Sequence, residues 1–144
     1  MLATARVTRV QPVVLEGRHV RLEPLGIGHA RAVLAAASGP RETYGLTFVP
    51  ADEPSMAAYI ETALRDQAAG RSLPFATVAK ATGLVVGSTR FLNIEFWQWP
   101  PGNAYQRGED VPDVAEIGAT WLAAAAQRTP INTEAKLLML THAF

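Results

Sequence analysis

Alternating apolar and polar positions predict a sheet in this chain. Residues 13–25 end in a strict alternation, which predicts a half-buried strand preceded by a turn at 16–17. Residues 73–80 and 84–92 have strand-like patterns and flank the turn residues Ala81-Thr82-Gly83. The pattern therefore predicts a β-hairpin in the middle of the chain.

Three other segments have helical periodicity. An alanine-rich helix is predicted over about 29–37, where Ser38-Gly39-Pro40 end it. A second fits 55–69, with apolar residues on one face and charged residues on the other, and a third fits about 132–144. Between the first two, residues 41–53 predict an irregular loop.

The order of elements indicates the fold class. Residues 93–113 contain prolines and glycines, with Trp97, Trp99 and Tyr105 among them, and predict a long loop; residues 114–122 predict a further strand. The order strand, two helices, three strands, helix predicts an α+β fold with helices packed on a largely antiparallel sheet. We see no domain boundary and expect one domain over residues 1–144.

Composition narrows the classes of function. Hydrophobic residues make up 49% of the chain and charged residues 18%, which predicts a globular domain and argues against disorder. The net charge of zero predicts no general attraction to nucleic acid or to a membrane. The chain has no cysteine, and its three histidines are far apart, so we expect no metal site. With no signal-peptide or membrane-spanning pattern, we expect a cytoplasmic location.

Residues 114–134 predict a strand, a short loop and a helix N-terminus. Such an N-terminus has unpaired backbone N–H groups and a partial positive charge, and it therefore favours phosphate. Arg128 would add a full charge, and either Thr129 or Asn132 can cap the helix. The alternative is a capped helix that only packs on the core.

Four segments together resemble a known family. In chain order they are Arg18-His19-Val20-Arg21-Leu22-Glu23-Pro24-Leu25, Gly87-Ser88-Thr89-Arg90-Phe91, Glu116-Ile117-Gly118 and Asn132-Thr133-Glu134-Ala135-Lys136-Leu137-Leu138. They look like GNAT-superfamily N-acetyltransferases, particularly the branch of ribosomal-protein N-terminal acetyltransferases. The resemblance implies a GNAT fold, a mixed, mostly antiparallel sheet with helices on both faces, and acetyl transfer from acetyl-CoA to an amine, either a protein N-terminus or a small molecule.

The resemblance also implies a site for acetyl-CoA. The family's phosphate-loop pattern falls on Gln127, Pro130 and Asn132, of which only Gln127 fits, and Pro130 has no N–H to donate. The strand containing Glu116 would contact the pantetheine arm through its backbone. The implied cofactor-binding residues are Trp121, Leu122, Gln127, Arg128, Thr129, Ile131, Asn132 and Thr133.

Acetyl transfer requires a neutral amine, so a group must accept a proton. Glu116 resembles a glutamate with that role in some family members; the alternative is a structural glutamate at a sheet edge. In a regular strand Glu116, Gly118 and Thr120 would share one face, with Trp121 on the other. Tyr44 and Phe48 resemble acceptor-side positions. The aromatic residues of the long loop form either an acceptor-binding wall or loop anchors.

The pattern ends on a helix with no following strand. GNAT proteins continue with a strand, a helix and two closing strands, so the resemblance implies a fold that is incomplete at its C-terminus. Such a fold leaves an open sheet edge that could pair with a second copy, and we expect weak or no activity. Two alternatives are a non-catalytic interaction module and an unrelated α+β ligand-binding domain.

Overall fold

The computed structural model describes residues 10–144 and contains one five-stranded sheet in chain order. All neighbouring strands pair antiparallel, so no crossover interrupts the sheet. The strands are β1 (Leu15–Glu16), β2 (Val20–Pro24), β3 (Leu73–Ala79), β4 (Leu84–Glu95) and β5 (Val114–Leu122). The predicted strands are confirmed, and β5 has the bounds that its sequence pattern predicts.

The described fold has three α-helices, besides three short 3-10 turns: α1 (Ala30–Ala37), α2 (Glu53–Ala68) and α3 (Pro130–Ala143). The Asp52 carboxylate accepts the backbone N–H of Ser55 and caps α2. The Thr129 hydroxyl caps α3 by accepting the N–H of Ile131, and Pro130 occupies the first helical position. Of the two caps that the sequence allows for the last helix, the structure uses Thr129.

The helices cover both faces of the sheet, as predicted. On one face α1 and α2 bury a cluster that includes Val33, Met56, Ile60 and Trp121. On the other face α3 packs a second cluster, formed by Val20, Leu22, Leu73, Phe75, Phe91, Ile94, Ala135 and Met139. Strand β3 lies between these layers and is buried at every residue, because both of its faces are covered.

Strand β5 is the edge of the sheet among the described residues. It pairs with β4 on one side only. A loop leaves its C-terminal end and leads directly to the N-terminus of α3. The predicted strand, loop and helix are therefore present in that order, and they determine the geometry of the site below.

Candidate active site

A β-bulge interrupts β5. Arg90 pairs with Gly118 and Ser88 with Trp121, so two residues of β5, Ala119 and Thr120, lie opposite the single residue between them. The backbone of Ala119 has a φ of 47°, which is unusual for a residue other than glycine. A bulge leaves one backbone group out of the ladder and bends the strand, so we expect an unpaired amide in the middle of β5.

The bulge corrects one expectation from the sequence. In a regular strand Thr120 would share a face with Glu116 and Gly118, and Trp121 would share the opposite face with Ile117. Instead, Ile117 packs in the α3-side cluster, whereas Trp121 is buried in the cluster under α1 and α2. The prediction was wrong because an extra residue reverses the alternation of side chains for the rest of the strand.

Glu116 is exposed on the face toward α1 and α2. Asn93 donates its side-chain amide to Oε2 of Glu116 over 2.7 Å. Asn93 itself has a φ of 48°, at a second irregularity in the pairing of β4 with β5. The glutamate that the resemblance singled out is thus oriented by one neutral donor.

The loop before α3 leaves several backbone N–H groups available. The N–H of Gln127 is bonded to Ala124, and the N–H of Ile131 is used by the Thr129 cap. Among residues 10–144, the backbone N–H groups of Arg128, Thr129 and Asn132 come before the first intrahelical bond of α3 and have no partner. The N–H of Thr133 is the first to donate within the helix. Three of the implied cofactor-binding residues therefore offer a free donor at the positive end of the α3 dipole.

Arg128 sits at the turn into this loop. Its φ of 59° places it in the left-handed region, and its side chain is exposed. Beside the loop is a recess of about 440 Å³, whose lining includes three basic residues, Arg18, His19 and Lys80, and the start of α3. One of these bases, Lys80, is paired with Glu16 at 2.9 Å. Arg128 therefore places one exposed positive charge beside the free N–H groups.

Gln127 and Tyr44 tie the end of β5 to the loop between α1 and α2. The backbone carbonyl of Leu122 accepts both the Tyr44 hydroxyl at 3.0 Å and the Gln127 amide at 2.9 Å. Gln127 also donates to Thr43 at 2.8 Å. The side chains of both residues thus have structural contacts. Burial raises the pKa of the Tyr44 hydroxyl, against a smaller opposing effect of Arg41.

Phe48 and Trp121 differ in their access to ligand. Phe48 is 70% exposed and packs on the Tyr59 ring at 6.3 Å. Trp121 is only 3% exposed, and its ring meets Tyr44 edge-on at 5.8 Å. Only the backbone of Trp121 can therefore reach a ligand at the edge of the sheet.

A lysine from α3 lies beneath the bulge. Lys136 Nζ is 2.6 Å from the Thr120 hydroxyl and 3.0 Å from the Thr89 hydroxyl. No carboxylate of residues 10–144 pairs with this ammonium group. Burial lowers the pKa of Lys136 from 10.5 to about 8.

The aromatic residues of the long loop form a cluster of their own. Trp97 lies 5.7 Å from Trp99, and Trp99 lies 6.3 Å from Tyr105. The carboxylate of Asp113 accepts the Trp97 backbone N–H and the Trp99 indole N–H, both at 2.7 Å. These bonds anchor the loop, and the cluster also lines a cavity of about 390 Å³. Both interpretations of these aromatics therefore remain predictions.

Sequence patterns missed three residues that shape the site: Arg90, Lys136 and Glu134. Each belongs to a segment that carried the family resemblance, but none has a local pattern that indicates a role. Glu134 contacts the turn before β2, more than 100 positions earlier in the chain. Only the three-dimensional structure shows these contacts, because all three residues act through partners that are distant in sequence.

In this α+β protein an edge strand with a central bulge leads directly to a helix start with free N–H groups. Residues 19–144 match the family model of the acetyltransferase (GNAT) domain. This chain therefore belongs to the GNAT acetyltransferase family, and the family and fold implied by the sequence motifs are confirmed. No curated protein matches the chain.

Solved structures with the same fold extend the comparison. A GCN5-related N-acetyltransferase from Brucella melitensis is 28% identical with a TM-score of 0.67, over 93% of this chain and 55% of its own. Two others show the shared fold alone. The ribosomal L7/L12 α-N-protein acetyltransferase RimL, in complex with coenzyme A, is 15% identical (TM-score 0.68, 90% of this chain, 67% of its own). The microcin C7 self-immunity acetyltransferase MccE, in complex with acetyl-CoA and AMP, is 18% identical (0.67, 88% and 63%). This chain thus spans roughly half to two thirds of their lengths.

Two features are absent from residues 10–144. No helix there combines the length and apolar character needed to cross a membrane. The same residues contain no group of three or more metal-ligating side chains.

Proposed function

We propose that this protein is an N-acetyltransferase that transfers the acetyl group of acetyl-CoA to a primary amine. The observation that carries the proposal is the bulged edge of β5 leading directly to the three free N–H groups at the start of α3. Family membership supports the reaction class, and the neighbours solved with acetyl-CoA and coenzyme A support the co-substrate.

The cofactor residues follow from this arrangement. The free edge of β5, up to the backbone of Trp121 and Leu122, suits the two amides of a pantetheine arm. The free N–H groups at the α3 start suit the pyrophosphate, and Arg128 adds a full charge beside them. The side chain of Gln127 and the N–H of Ile131 are already bonded, so they would support this loop rather than contact the phosphates.

The chemistry needs a proton acceptor and a stabilised oxyanion. Glu116 accepts the proton of the acceptor ammonium, directly or through water, and the neutral amine attacks the thioester carbonyl. The carbon–sulfur bond breaks as the amide forms, and the released thiolate takes up a proton. The amide freed by the bulge at Ala119 can stabilise the oxyanion, and the ammonium of Lys136 below it adds favourable charge. Tyr44 borders the acceptor side, and the exposed ring of Phe48 is suited to contact the acceptor.

A single charge tests the cofactor site. Asn132→Asp places a carboxylate in the first turn of α3. There it stabilises the helix through the helix dipole, but it repels a pyrophosphate. We expect unchanged or higher thermal stability and about tenfold weaker acetyl-CoA binding by calorimetry, since like charges at about 4–5 Å cost about 1–2 kcal/mol. Gln98→Glu adds the same charge in the long loop and serves as the control. Equal affinity of the two variants for acetyl-CoA would contradict the proposed phosphate site.

A second experiment tests the reaction. Glu116→Gln keeps the Asn93 contact through the amide oxygen but cannot accept a proton, so we expect at least a hundredfold loss of turnover with unchanged acetyl-CoA affinity. Unchanged turnover would exclude Glu116 as the base. The open edge of β5 also allows pairing with a second copy, the alternative in which the chain is an interaction module. A stable dimer that binds no acetyl-CoA would favour that alternative.

A further inference from the structure

An arginine is buried beside the bulge without a counter-charge. Arg90, on β4, is only 9% exposed, and its backbone lies opposite Gly118 in the pairing of β4 with β5. Its guanidinium lies over the Tyr59 ring of α2, 5.0 Å from the ring centre. Within residues 10–144 no carboxylate pairs with it, and Glu116 on the same face is bonded to Asn93 instead.

The unpaired atoms of Arg90 form one recognition edge. Nε and Nη2 are both buried, and neither has a hydrogen-bond partner among the described residues. These two nitrogens lie on the same side of a guanidinium and donate in parallel, which matches the two oxygens of a carboxylate. Arginine does not lose its proton in proteins. The fold therefore buries a permanent charge whose bidentate edge is unused.

Other unused groups lie on the same face. The Tyr59 hydroxyl and the Trp121 indole nitrogen are buried and also lack partners. Both side chains belong to the layer between the sheet and α2. One further orphan, Gln67 Oε1, is an acceptor two turns further along α2. Buried polar groups are nearly always hydrogen-bonded, so unpaired donors on one face indicate a missing acceptor.

An anion explains this arrangement better than water does. A water molecule can satisfy a donor, but it cannot offset the cost of a buried charge, which is larger than that of an unpaired neutral group. The exposed ring of Phe48 lies against Tyr59 and borders this face from the loop between α1 and α2. Because both nitrogens are buried against Tyr59, a ligand entering beside Phe48 would reach Arg90 only by displacing the Tyr59 ring.

We propose that Arg90 binds a carboxylate of the acceptor, so that the preferred acceptors are amines that also carry a carboxylate, such as amino acids or short acidic peptides. The inference rests on the proposed acetyl transfer and names the acceptor class of that reaction. Arg90 lies directly across from Gly118, next to the bulge and on the face of Glu116. An acceptor whose amine and carboxylate are separated by up to three extended residues, about 10 Å, can reach both groups.

The test uses pairs of acceptors that differ only in the carboxylate. Suitable pairs are alanine and alaninamide, Ala-Ala and its amide, and Ala-Asp-amide and Ala-Asn-amide. Each pair is measured with the wild type, Arg90→Met and Arg90→Lys, and with Arg65→Met as a control on the exposed face of α2. Comparing the ratio within a pair between proteins removes the difference in amine basicity. We expect at least one pair to show a preference for the carboxylate that falls about tenfold or more in Arg90→Met.

Two other readouts separate binding from structure. Removal of an uncompensated buried charge is often neutral or stabilising, so we expect Arg90→Met to retain or raise the Tm. Arg90→Lys should lose part of the preference, because an ammonium cannot form the paired contact. The same acids at millimolar concentration should raise the Tm of the wild type and of Arg65→Met, but not of Arg90→Met.

The outcomes distinguish this inference from the proposed function. If no acetyl-CoA turnover occurs, the thermal shift with carboxylate ligands still decides the role of Arg90. If turnover occurs but no acceptor pair and no thermal shift depends on Arg90, the inference is overturned and the unused edge holds only water. Arg90→Met that is much less stable than the wild type, with an unaltered acceptor preference, would also overturn it and indicate a structural arginine.

Discussion

The contact that fixes the start of α3 can be tested directly. The carboxylate of Glu134 accepts three consecutive backbone N–H groups from the turn before β2, those of Arg18 at 2.8 Å, His19 at 2.6 Å and Val20 at 2.8 Å. Desolvation of the Glu134 carboxyl raises its pKa, but the three donors lower it by more. The pKa of Glu134 therefore lies below its ordinary value of 4.5. In Glu134→Gln an NH₂ group would face at least one of the donors.

The expected loss can be estimated from the bonds. A hydrogen bond to a charged acceptor contributes about 1.5–3 kcal/mol when it is shielded, and less at an exposed site. Two of the three donors are at exposed residues, so we expect about 2 kcal/mol in total for Glu134→Gln. For a domain of this size that corresponds to a fall in Tm of about 5–10 °C. Because α3 begins at the proposed phosphate site, acetyl-CoA affinity should fall as well.

The pH dependence provides a second criterion. The folded pKa of Glu134 lies below its unfolded value, so its stabilising effect is fully present above pH 4.5 and is lost as the pH falls through the folded pKa. The difference in unfolding free energy between wild type and Glu134→Gln, from urea titrations, should be constant from pH 7 to about 5 and shrink below that. A difference that grows toward acid would refute this account of the contact.

Gly17 supplies the control for the same contact. A Cβ built at this position would overlap the Glu134 carboxyl group. Gly17→Ala should therefore force the carboxylate away and destabilise the wild type by a similar amount. In a Glu134→Ala background the same substitution should be nearly neutral. Additive losses in this double-mutant cycle would mean that the two residues do not act through one contact.

Four further substitutions test other parts of the structure. A Cβ at Gly87 would overlap the backbone carbonyl across the strand pair, so Gly87→Ala should cost about 3 kcal/mol or more in urea unfolding; a loss under 1 kcal/mol would contradict the pairing of β4 with β5. Burial lowers the pKa of Lys136 to about 8, so its folded form binds fewer protons than the unfolded chain between pH 8 and 10.5. The stability of the wild type relative to Lys136→Met should therefore rise across that window, and a flat difference would refute the shift. Tyr44→Phe removes one donor to the Leu122 carbonyl and should cost about 1 kcal/mol by calorimetry; an unchanged Tm would show that Gln127 alone satisfies it. Ala119→Gly should be neutral or stabilising by up to about 1 kcal/mol, since glycine relieves the left-handed backbone; a loss like that of an ordinary strand Ala→Gly would argue against the bulge.

Local patterns were sufficient to predict the elements of this fold. Periodicity of 2 and 3.6 located all but the shortest strand and all three helices, because each signal lies within one segment and reports burial of one face. The bounds of β5 matched, and β4 ran three residues beyond its predicted end. The family motifs then predicted a sheet with helices on both faces. The order of elements along the chain does not by itself determine that arrangement.

The details of the site were beyond the reach of those patterns. Nothing in residues 114–122 indicates that Ala119 adopts a positive φ, since alanine is not a residue that favours it. That single bulge reversed the faces of Thr120 and Trp121. In the sequence, Arg90 has the same pattern as any arginine on a strand. Its burial without a partner arises only where β4, β5 and α2 meet.

Unfavourable features of the described fold are concentrated around β5. The non-glycine residues with positive φ among positions 10–144 are Asn93, Ala119 and Arg128: one orients Glu116, one forms the bulge, and one turns into the loop before α3. The unpaired charge of Arg90 lies beside the same bulge. Each feature costs free energy and persists only where the surrounding packing enforces it. In contrast, Glu134 and the bonds to the Leu122 carbonyl tie the neighbouring segments together. Strain confined to one strand within a well-bonded frame is the arrangement expected of a preorganised site, and it lies where we propose acetyl transfer and acceptor binding.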